Sequence, residues 1–168
     1  MSVIKGKRIM YLYRILAESA TTDAEGMAFT TENSRTKSSD SDAVATKDGT
    51  IRVPGEVETE ISTTALFADE NDEMIAKLEK AIDDGSKLEI WEVNLNKPGS
   101  GDDAGKYASK YFWGYITSFE LTSNSEDHVE ASLDFGIDGS GEDGYATVTD
   151  EQQELAKHVF ADTVKTGA

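Results

Sequence analysis

The sequence predicts a mainly β protein of about six strands with one flanking α-helix. Residues 57–66 and 128–138 alternate apolar and polar side chains with the period of two that is typical of half-buried strands. Residues 68–84 change to the helical period, and their apolar stripe consists of Met74, Ile75, Leu78, Ala81 and Ile82. About five polar residues separate segments 111–121 and 128–138, a spacing that favours a hairpin.

The remaining strands follow from composition. Residues 7–16 carry apolar side chains on both parities, which indicates a strand buried on both faces. Strands are also expected at 27–31, 87–95 and 145–148, and residues 96–106 are expected to form a loop. In segment 111–121 one face holds five large side chains, and Trp113 is assigned to the core; the five are Tyr111, Trp113, Tyr115, Phe119 and Leu121.

The helix has recognisable ends. Asp69 is a plausible N-cap, and Gly85 is suited to terminate the last turn. A second, shorter helix is predicted over residues 149–162 from a Thr149–Gln152 capping box. The glycine-rich residues 139–144 are interpreted as a hinge or turn.

A long polar segment stands out early in the chain. Of the 32 residues from 19 to 50, 12 are Ser or Thr, and residues 33–48 are predicted to be a long mobile loop that ends at the turn Lys47-Asp48-Gly49. Such loops are usually disordered or functional. The whole chain, 1–168, is expected to be one domain with this loop and a C-terminal segment, 145–168.

Charge excludes several classes of protein. The 168 residues contain 16 Lys and Arg against 33 Asp and Glu, a net charge of −17, which disfavours ordinary nucleic-acid binding and docking on anionic membranes. There is no cysteine, so disulfides and thiolate chemistry are excluded. Arg14 interrupts the apolar run that follows Lys7 and Arg8, so we interpret that run as a strand rather than a secretion signal or membrane anchor.

Catalytic patterns are weak. His128 and His158 are far apart, and His128 sits on the polar side of a strand, where a solvated histidine is the common case. Residues 139–144 match GxGxxG, but Glu142 and Asp143 would face the pyrophosphate, and a strand at 145–148 rather than a helix follows directly. The acidic runs near Asp40 and Asp138 lack the ligand spacing of a calcium loop. We therefore expect no enzyme activity, cofactor or metal site.

The acidic residues fall in two stripes. Glu56, Glu58 and Glu60 share one strand face, and Glu130, Asp134 and Asp138 share another. One interpretation is a solvated sheet face. The other is a surface that repels an anion, since like-charged neighbours in a sheet cost some ~0.2–1 kcal/mol each. Both stay open on the residues alone.

The order of elements resembles the major tail proteins of long-tailed, non-contractile phages of Gram-positive bacteria, particularly the lactococcal type. The resemblance covers nearly the whole chain and rests on framework residues rather than a catalytic signature. These are residues 6–17, TKDGTI at 46–51, GEVETEISTT at 55–64, the helix through 74–82, LEIWE at 88–92 and WGYITS at 113–118.

The resemblance implies an antiparallel β-sandwich or partial barrel that forms hexameric rings, which stack into the tail tube that conducts DNA. One sheet of each subunit would line the lumen, and the acids named above would keep DNA off its wall, with a formal charge of 6 × −17 = −102 per ring. The early loop would grip the next ring through Asn33, Arg35, Lys37, Asp40, Asp42, Lys47 and Asp48.

The implied partners are other copies of the chain, the tape measure, terminator and distal tail proteins, and genomic DNA that passes without specific binding. The implied location is the virion tail, after assembly in the host cytoplasm. Three alternatives remain: a tube protein of a contractile tail or secretion system, an acidic DNA mimic, and a hydrolase or carbohydrate-binding module that uses Trp91, Tyr107 and Trp113.

Overall fold

The computed structural model describes residues 3–27, 29–68, 72–123, 125 and 128–148. It confirms a mainly β fold with one α-helix. In chain order the elements are β1 Ile9–Ile15, β2 Glu25–Gly26, β3 Thr30–Thr46, β4 Gly49–Leu66, α1 Asp72–Asp84, β5 Leu88–Pro98, β6 Lys106–Thr122 and β7 Glu130–Thr147. Three single turns of 3-10 helix lie at Gly6–Arg8, Leu16–Glu18 and Gly101–Asp103.

The seven strands form one antiparallel sheet in the order β2-β1-β5-β6-β7-β4-β3. In a flat sheet β1 and β4, four places apart, would be separated by about 19 Å. Instead the Tyr13 hydroxyl on β1 lies 2.8 Å from the Thr63 hydroxyl on β4. The sheet therefore curls over on itself, which is the predicted partial barrel.

The curled sheet encloses the main core. The ring of Tyr13 stacks on that of Phe135 at 5.4 Å between centroids, and Ile61, Phe112 and Leu133 are buried around them. The apolar stripe of α1 packs into the same cluster through Met74, Ile75, Leu78 and Ala81. The helix thus covers an open side of the barrel, and Gly85, with φ of 66°, ends it as predicted.

A second, smaller cluster lies on the outer surface of β1 and β5. It contains Met10, Leu12, Val93, Leu95 and Val148. Because Tyr11 and Tyr13 face the main core while Met10 and Leu12 face this cluster, β1 is buried on both faces. This confirms the prediction for residues 7–16.

An ionic contact also joins distant strands across the barrel. The Arg35 guanidinium on β3 donates to the Glu92 carboxylate on β5 at 2.7 Å, and the Tyr11 hydroxyl donates to the same carboxylate at 2.6 Å. The hydrogen bond to Glu92 raises the pKa of Arg35 above its usual value. Since β3 and β5 are four places apart in the sheet, this contact holds the curl at the polar edge of the core.

The prediction of a loop at 33–48 is wrong, because residues 33–46 belong to β3 and pair with β4 along almost their whole length. Small hydroxyl side chains suit an exposed strand as well as a loop, and the partner strand settles which is formed. The turn at Lys47 and Asp48 is confirmed, since both lie between β3 and β4. The short strand expected at 27–31 in fact begins at Thr30 and continues into β3.

The hinge predicted at 139–144 is also wrong, because these residues lie inside β7. Gly139 and Gly141 adopt φ of 71° and 84° and form a bulge opposite Phe112, between the pairs Tyr111–Glu142 and Trp113–Asp138. A Cβ on Gly141 would lie 2.4 Å from the Phe112 ring. Glycine is therefore required by close packing within a strand.

Trp113 does not lie in the core, which corrects a further prediction. Its side chain is 43% exposed, whereas Phe112 and Ile116 on the opposite parity are buried. A second bulge between Ile116 and Ser118 then reverses the parity, so Phe119 packs against the core. The aromatic face seen in the sequence is therefore divided between the two sides of β6.

Two predictions lie outside the described residues: the Asp69 cap of α1 and the helix at 149–162. Residues 145–147 end β7. In the described part of the chain, no helix has the length and apolar character needed to cross a membrane.

Replacing Arg35 with Met should lower the free energy of unfolding by about 2 kcal/mol, because the Glu92 carboxylate loses a charged hydrogen-bond donor. Lys37→Met is the matched control, since Lys37 lies two residues further along β3 and is exposed. Its effect should stay within about 0.5 kcal/mol. Urea denaturation at pH 7 measures both, and equal losses would show that the contact does not hold the curl.

Alkaline pH should destabilise the fold through Tyr11 and Tyr13, because burial raises the pKa of both phenols. Both stay neutral in the folded chain while the unfolded chain ionises above pH ~10, so stability is retained below that pH and falls above it by about 1.4 kcal/mol per pH unit for each group. Tyr13→Phe should reduce this slope by about 1.4 kcal/mol per pH unit between pH 10.5 and 11.5 in denaturation experiments. An unchanged slope would contradict the assignment.

Candidate functional site

The two predicted acidic stripes lie on one surface. Strands β4 and β7 are neighbours, and their register places Ser62 opposite Asp134 and Leu66 opposite Glu130. The Ser62 hydroxyl donates to Asp134 at 2.7 Å. Because alternate residues of β4 such as Ile61 are buried, Glu58 and Glu60 face outward beside the β7 acids. We call the outward surface of β3, β4, β7 and the second half of β6 the acid face.

Two further acids extend the acid face at its edges. Glu32 on β3 is paired with Thr64, and Glu120 on β6 is paired with Ser132. Neither belongs to an acidic run, so the sequence pattern did not reveal them. Small hydroxyl side chains lie between the acids, namely Ser34, Thr36, Ser38, Ser62, Thr64 and Ser132. The register places no Lys or Arg on this face from three segments: β3 residues 32–38, β4 residues 58–66 and β7 residues 130–138.

Two of the six predicted acids differ from the others. Asp138 forms an ion pair with Lys87 at 2.9 Å, and this hydrogen bond raises the pKa of Lys87, whose ammonium also lies 4.8 Å from the centre of the Trp113 ring. The charge of Asp138 is thus balanced within its own chain. Glu56 lies on β4 beyond the part that pairs with β7, so it belongs to the projecting hairpin described next.

Residues 39–57 form a projecting hairpin that we call the arm; Glu58, next to the β4–β7 pair Thr59–Ile137, stays on the acid face. In the described structure, β4 pairs with β7 only over residues 59–66, so β3 and β4 continue beyond that point as a two-stranded ribbon. A register shift at Asp40 bulges the ribbon, and a Cβ on Gly55 would lie 2.6 Å from the Asp40 carbonyl oxygen. The sequence therefore needs glycine at position 55.

The seven residues predicted to grip a neighbour divide between two places. Asn33 and Arg35 face the interior, where Asn33 accepts a hydrogen bond from Thr63 and Arg35 binds Glu92. Lys37 lies at the base of the arm, and Asp40, Asp42, Lys47 and Asp48 lie on the arm itself. A contact of these residues with another ring stays a prediction.

An aromatic cluster on β5 and β6 is occupied by its own polar partners. The buried Glu89 carboxylate accepts hydrogen bonds from Arg14, at 2.9 Å, and from the Tyr111 hydroxyl. The Arg14 guanidinium covers the Trp91 ring at 5.1 Å, and Tyr107 packs on the second cluster. Trp91 and Tyr107 therefore do not form, with Trp113, the exposed platform that carbohydrate binding requires.

Nothing in the described residues assembles a catalytic constellation. The GxGxxG match lies within β7 rather than before a helix N-terminus, so it lacks the geometry of a dinucleotide site. Among the described residues, no group of three or more His, Asp or Glu is placed to hold a metal ion. The informative surfaces of the described chain are the acid face and the arm.

The comparisons with known proteins agree on one family. The family model described as phage tail tube protein matches residues 3–143. A putative tail protein of Staphylococcus phage phiMR25 is 33% identical over 150 residues, which is 87% of this chain and 77% of the relative.

Solved structures share the fold. The tail tube protein of SPP1 superposes with a TM-score of 0.73 at 21% identity, covering 98% of this chain and 93% of that one. The tail of a gene transfer agent particle gives 0.62 at 17% identity, covering 83% and 98%. The sheath–tube complex of a contractile injection system gives 0.52 at 15% identity, covering 87% and 93%. The fold, the extent of the family match and the curated relative together show that this chain belongs to the phage tail tube protein family.

Proposed function

We propose that copies of this chain close into rings, that the rings stack into the tail tube, and that the acid face lines the channel through which DNA leaves the capsid. The observation that carries the proposal is the union of Glu58, Glu60, Glu130 and Asp134 on one outward sheet surface, with no Lys or Arg from the paired parts of β3, β4 and β7 between them. Lys87 lies at the edge of this surface, where it is paired with Asp138. A structural role fits the absence of a catalytic constellation in the described residues.

The chemistry of this face suits a passing polyanion. Double-stranded DNA carries one negative charge per ~1.7 Å, and a cationic wall would bind it by releasing counterions. At physiological salt the Debye length is about 8 Å, so carboxylates repel DNA only near the wall. The face would therefore prevent contact without opposing the presence of DNA on the axis. The hydroxyl side chains between the acids keep the wall hydrated and offer no charge for phosphate to bind.

Ring closure explains the open edge of the sheet. Strand β3 is 17 residues long and lies at one end of the strand order. A long unpaired edge invites association, and closure into a ring satisfies it with a neighbouring copy. We propose six copies per ring; the gene transfer agent tail, which shares the fold, was refined with C6 symmetry.

The neighbouring alternatives differ in their support. Tubes of contractile systems share the fold at a TM-score of 0.52, but the curated relative is a phage tail protein and the SPP1 tube superposes at 0.73. A DNA mimic would use the same acids, yet it gives no role to the arm. We therefore favour a non-contractile tail, whose other proteins would meet the ends of the tube.

Reversing the acid face should slow DNA ejection without preventing assembly. In the variant Glu58→Lys, Glu60→Lys and Glu130→Lys, the wall would attract phosphate, and we expect the ejection rate of particles that carry it to fall about tenfold or more. Glu56 is left unchanged in this variant because it lies on the arm. Receptor-triggered ejection, followed by a DNA-binding dye, measures the rate.

The matched control reverses three exposed acids of the helix, Glu79→Lys, Asp83→Lys and Asp84→Lys, with the same change in net charge. It should form tubes and eject DNA at the normal rate. Tubes of normal appearance with normal ejection in the acid-face variant would show that this face does not line the channel.

A further inference from the structure

Exposed apolar side chains occur at both ends of the long β3–β4 hairpin. On the arm, Val44, Ile51, Val53 and Val57 are 42–53% exposed. The register pairs Val44 directly with Ile51, and Val53 shares the parity of Ile51, so these three form one surface, the arm face. The bulge between Pro54 and Val57 places Val57 on the opposite side of the ribbon. The other exposed apolar group, which we call the end patch, consists of Phe29, Phe67 and Leu121, at 38–52% exposure.

The end patch lies at the end of the sheet opposite the arm. Phe29 precedes β3, Phe67 follows β4, and Leu121 is next to the last residue of β6. Backbone hydrogen bonds fix this end, because the Leu66 amide donates to the Phe29 carbonyl at 3.0 Å and the Phe67 amide donates to the Val129 carbonyl at 2.7 Å.

Phe29 is held in an unusual conformation. Among the described residues it is the one non-glycine residue with positive φ, at 57°. For a bulky residue this region is strained, and such strain clusters at functional sites. Here the strained residue carries an exposed aromatic ring and directly precedes the polar edge strand β3.

The two apolar surfaces cannot meet within one chain. Phe67 lies 16 positions beyond Ile51 along the chain, a span of about 53 Å in an extended strand. Two-stranded ribbons are only marginally stable alone, so the arm needs a partner surface. Because the two surfaces differ and lie at opposite ends, their union joins copies head to tail, which produces an open stack instead of a closed pair.

Charge favours the same union. Residues 44–53, around the arm tip, contain Lys47 and Arg52 against Asp48, so the tip is net positive in a chain of net charge −17. The end patch is flanked by Glu120, beside Leu121, and by Glu130, paired with Leu66. A positive tip therefore meets a negative rim.

From these observations we infer that the arm face of one copy docks on the end patch of a copy in the adjacent ring, so that the Phe29–Phe67–Leu121 surface is the receiving half of the ring-to-ring contact. This inference rests on the proposed stacking of rings and names the surface that stacking uses. The occupant is a second copy of this chain.

The absence of cysteine permits a background-free test. In the double variant Ile51→Cys and Phe67→Cys, copper-catalysed oxidation of assembled tubes should give a ladder of disulfide-linked multimers on non-reducing gels. Bridging needs Cα atoms within about 7 Å, which excludes a bond inside one chain. The control pair Ile51→Cys and Glu79→Cys, with the second thiol on α1, should give no ladder.

The outcomes separate the two proposals. If tubes assemble and only the control pair forms a ladder, the arm docks elsewhere and this inference is overturned while the stacking of rings stands. If the unmodified chain forms neither rings nor tubes, the proposed function itself fails. A ladder specific to the first pair establishes the contact.

A polar variant provides an independent measurement. Phe67→Ser with Leu121→Ser removes apolar surface that is already exposed in the single chain, so the unfolding midpoint should change little. Loss of its burial between rings should raise the subunit concentration needed for tube formation about tenfold or more, as measured by sedimentation and negative-stain microscopy. Unchanged assembly by this folded variant would also overturn the inference.

Discussion

The curl of the sheet is the constraint on which the rest of the structure depends. A seven-stranded sheet with β2 and β3 at its ends could lie open, but the contact of Tyr13 with Phe135 and Thr63 brings β1 over β7 and β4. That contact creates an interior for the apolar residues of five strands, β1 and β4–β7, and a side for α1 to cover. It also turns the polar side of β4 and β7 outward as one surface, so the acid face is a consequence of how the core closes.

Much of this architecture could be predicted where one period holds over a whole element. Residues 131–137 alternate without interruption, and α1 has both an apolar stripe and a terminating glycine. Prediction failed where a second strand decides the outcome. The Ser- and Thr-rich β3 has no apolar face to announce a strand, and its conformation follows from pairing with β4. Gly139 and Gly141 resemble a turn, yet they serve a bulge that makes room for Phe112.

The surface features were likewise predictable where they depend on one strand and unpredictable where they depend on strand pairing. Each acidic stripe was visible as a local alternation, but their union depends on a pairing between residues 72 positions apart, Ser62 and Asp134. Glu32 and Glu120 join the face only through that register. The exposure of Trp113 was hidden because the bulge between Ile116 and Ser118 changes the parity of β6, and a period of two cannot be followed through a bulge. The arm could not be predicted from the sequence, because it begins where the pairing of β4 with β7 ends.

The bulge at Asp40 and Gly55 has a geometric consequence for any polymer of this chain. It lies at the root of the arm and fixes the angle at which about 30 Å of ribbon leaves the body. Over that length, a change of about 5° at the root displaces the tip by nearly 3 Å, close to the rise of one residue along a strand. A tip displacement of this size would recur at every repeat of an assembly and would change the helical pitch of that assembly. The absence of a side chain at Gly55 therefore sets the direction of the arm, and that direction affects the geometry of an assembly far larger than the subunit.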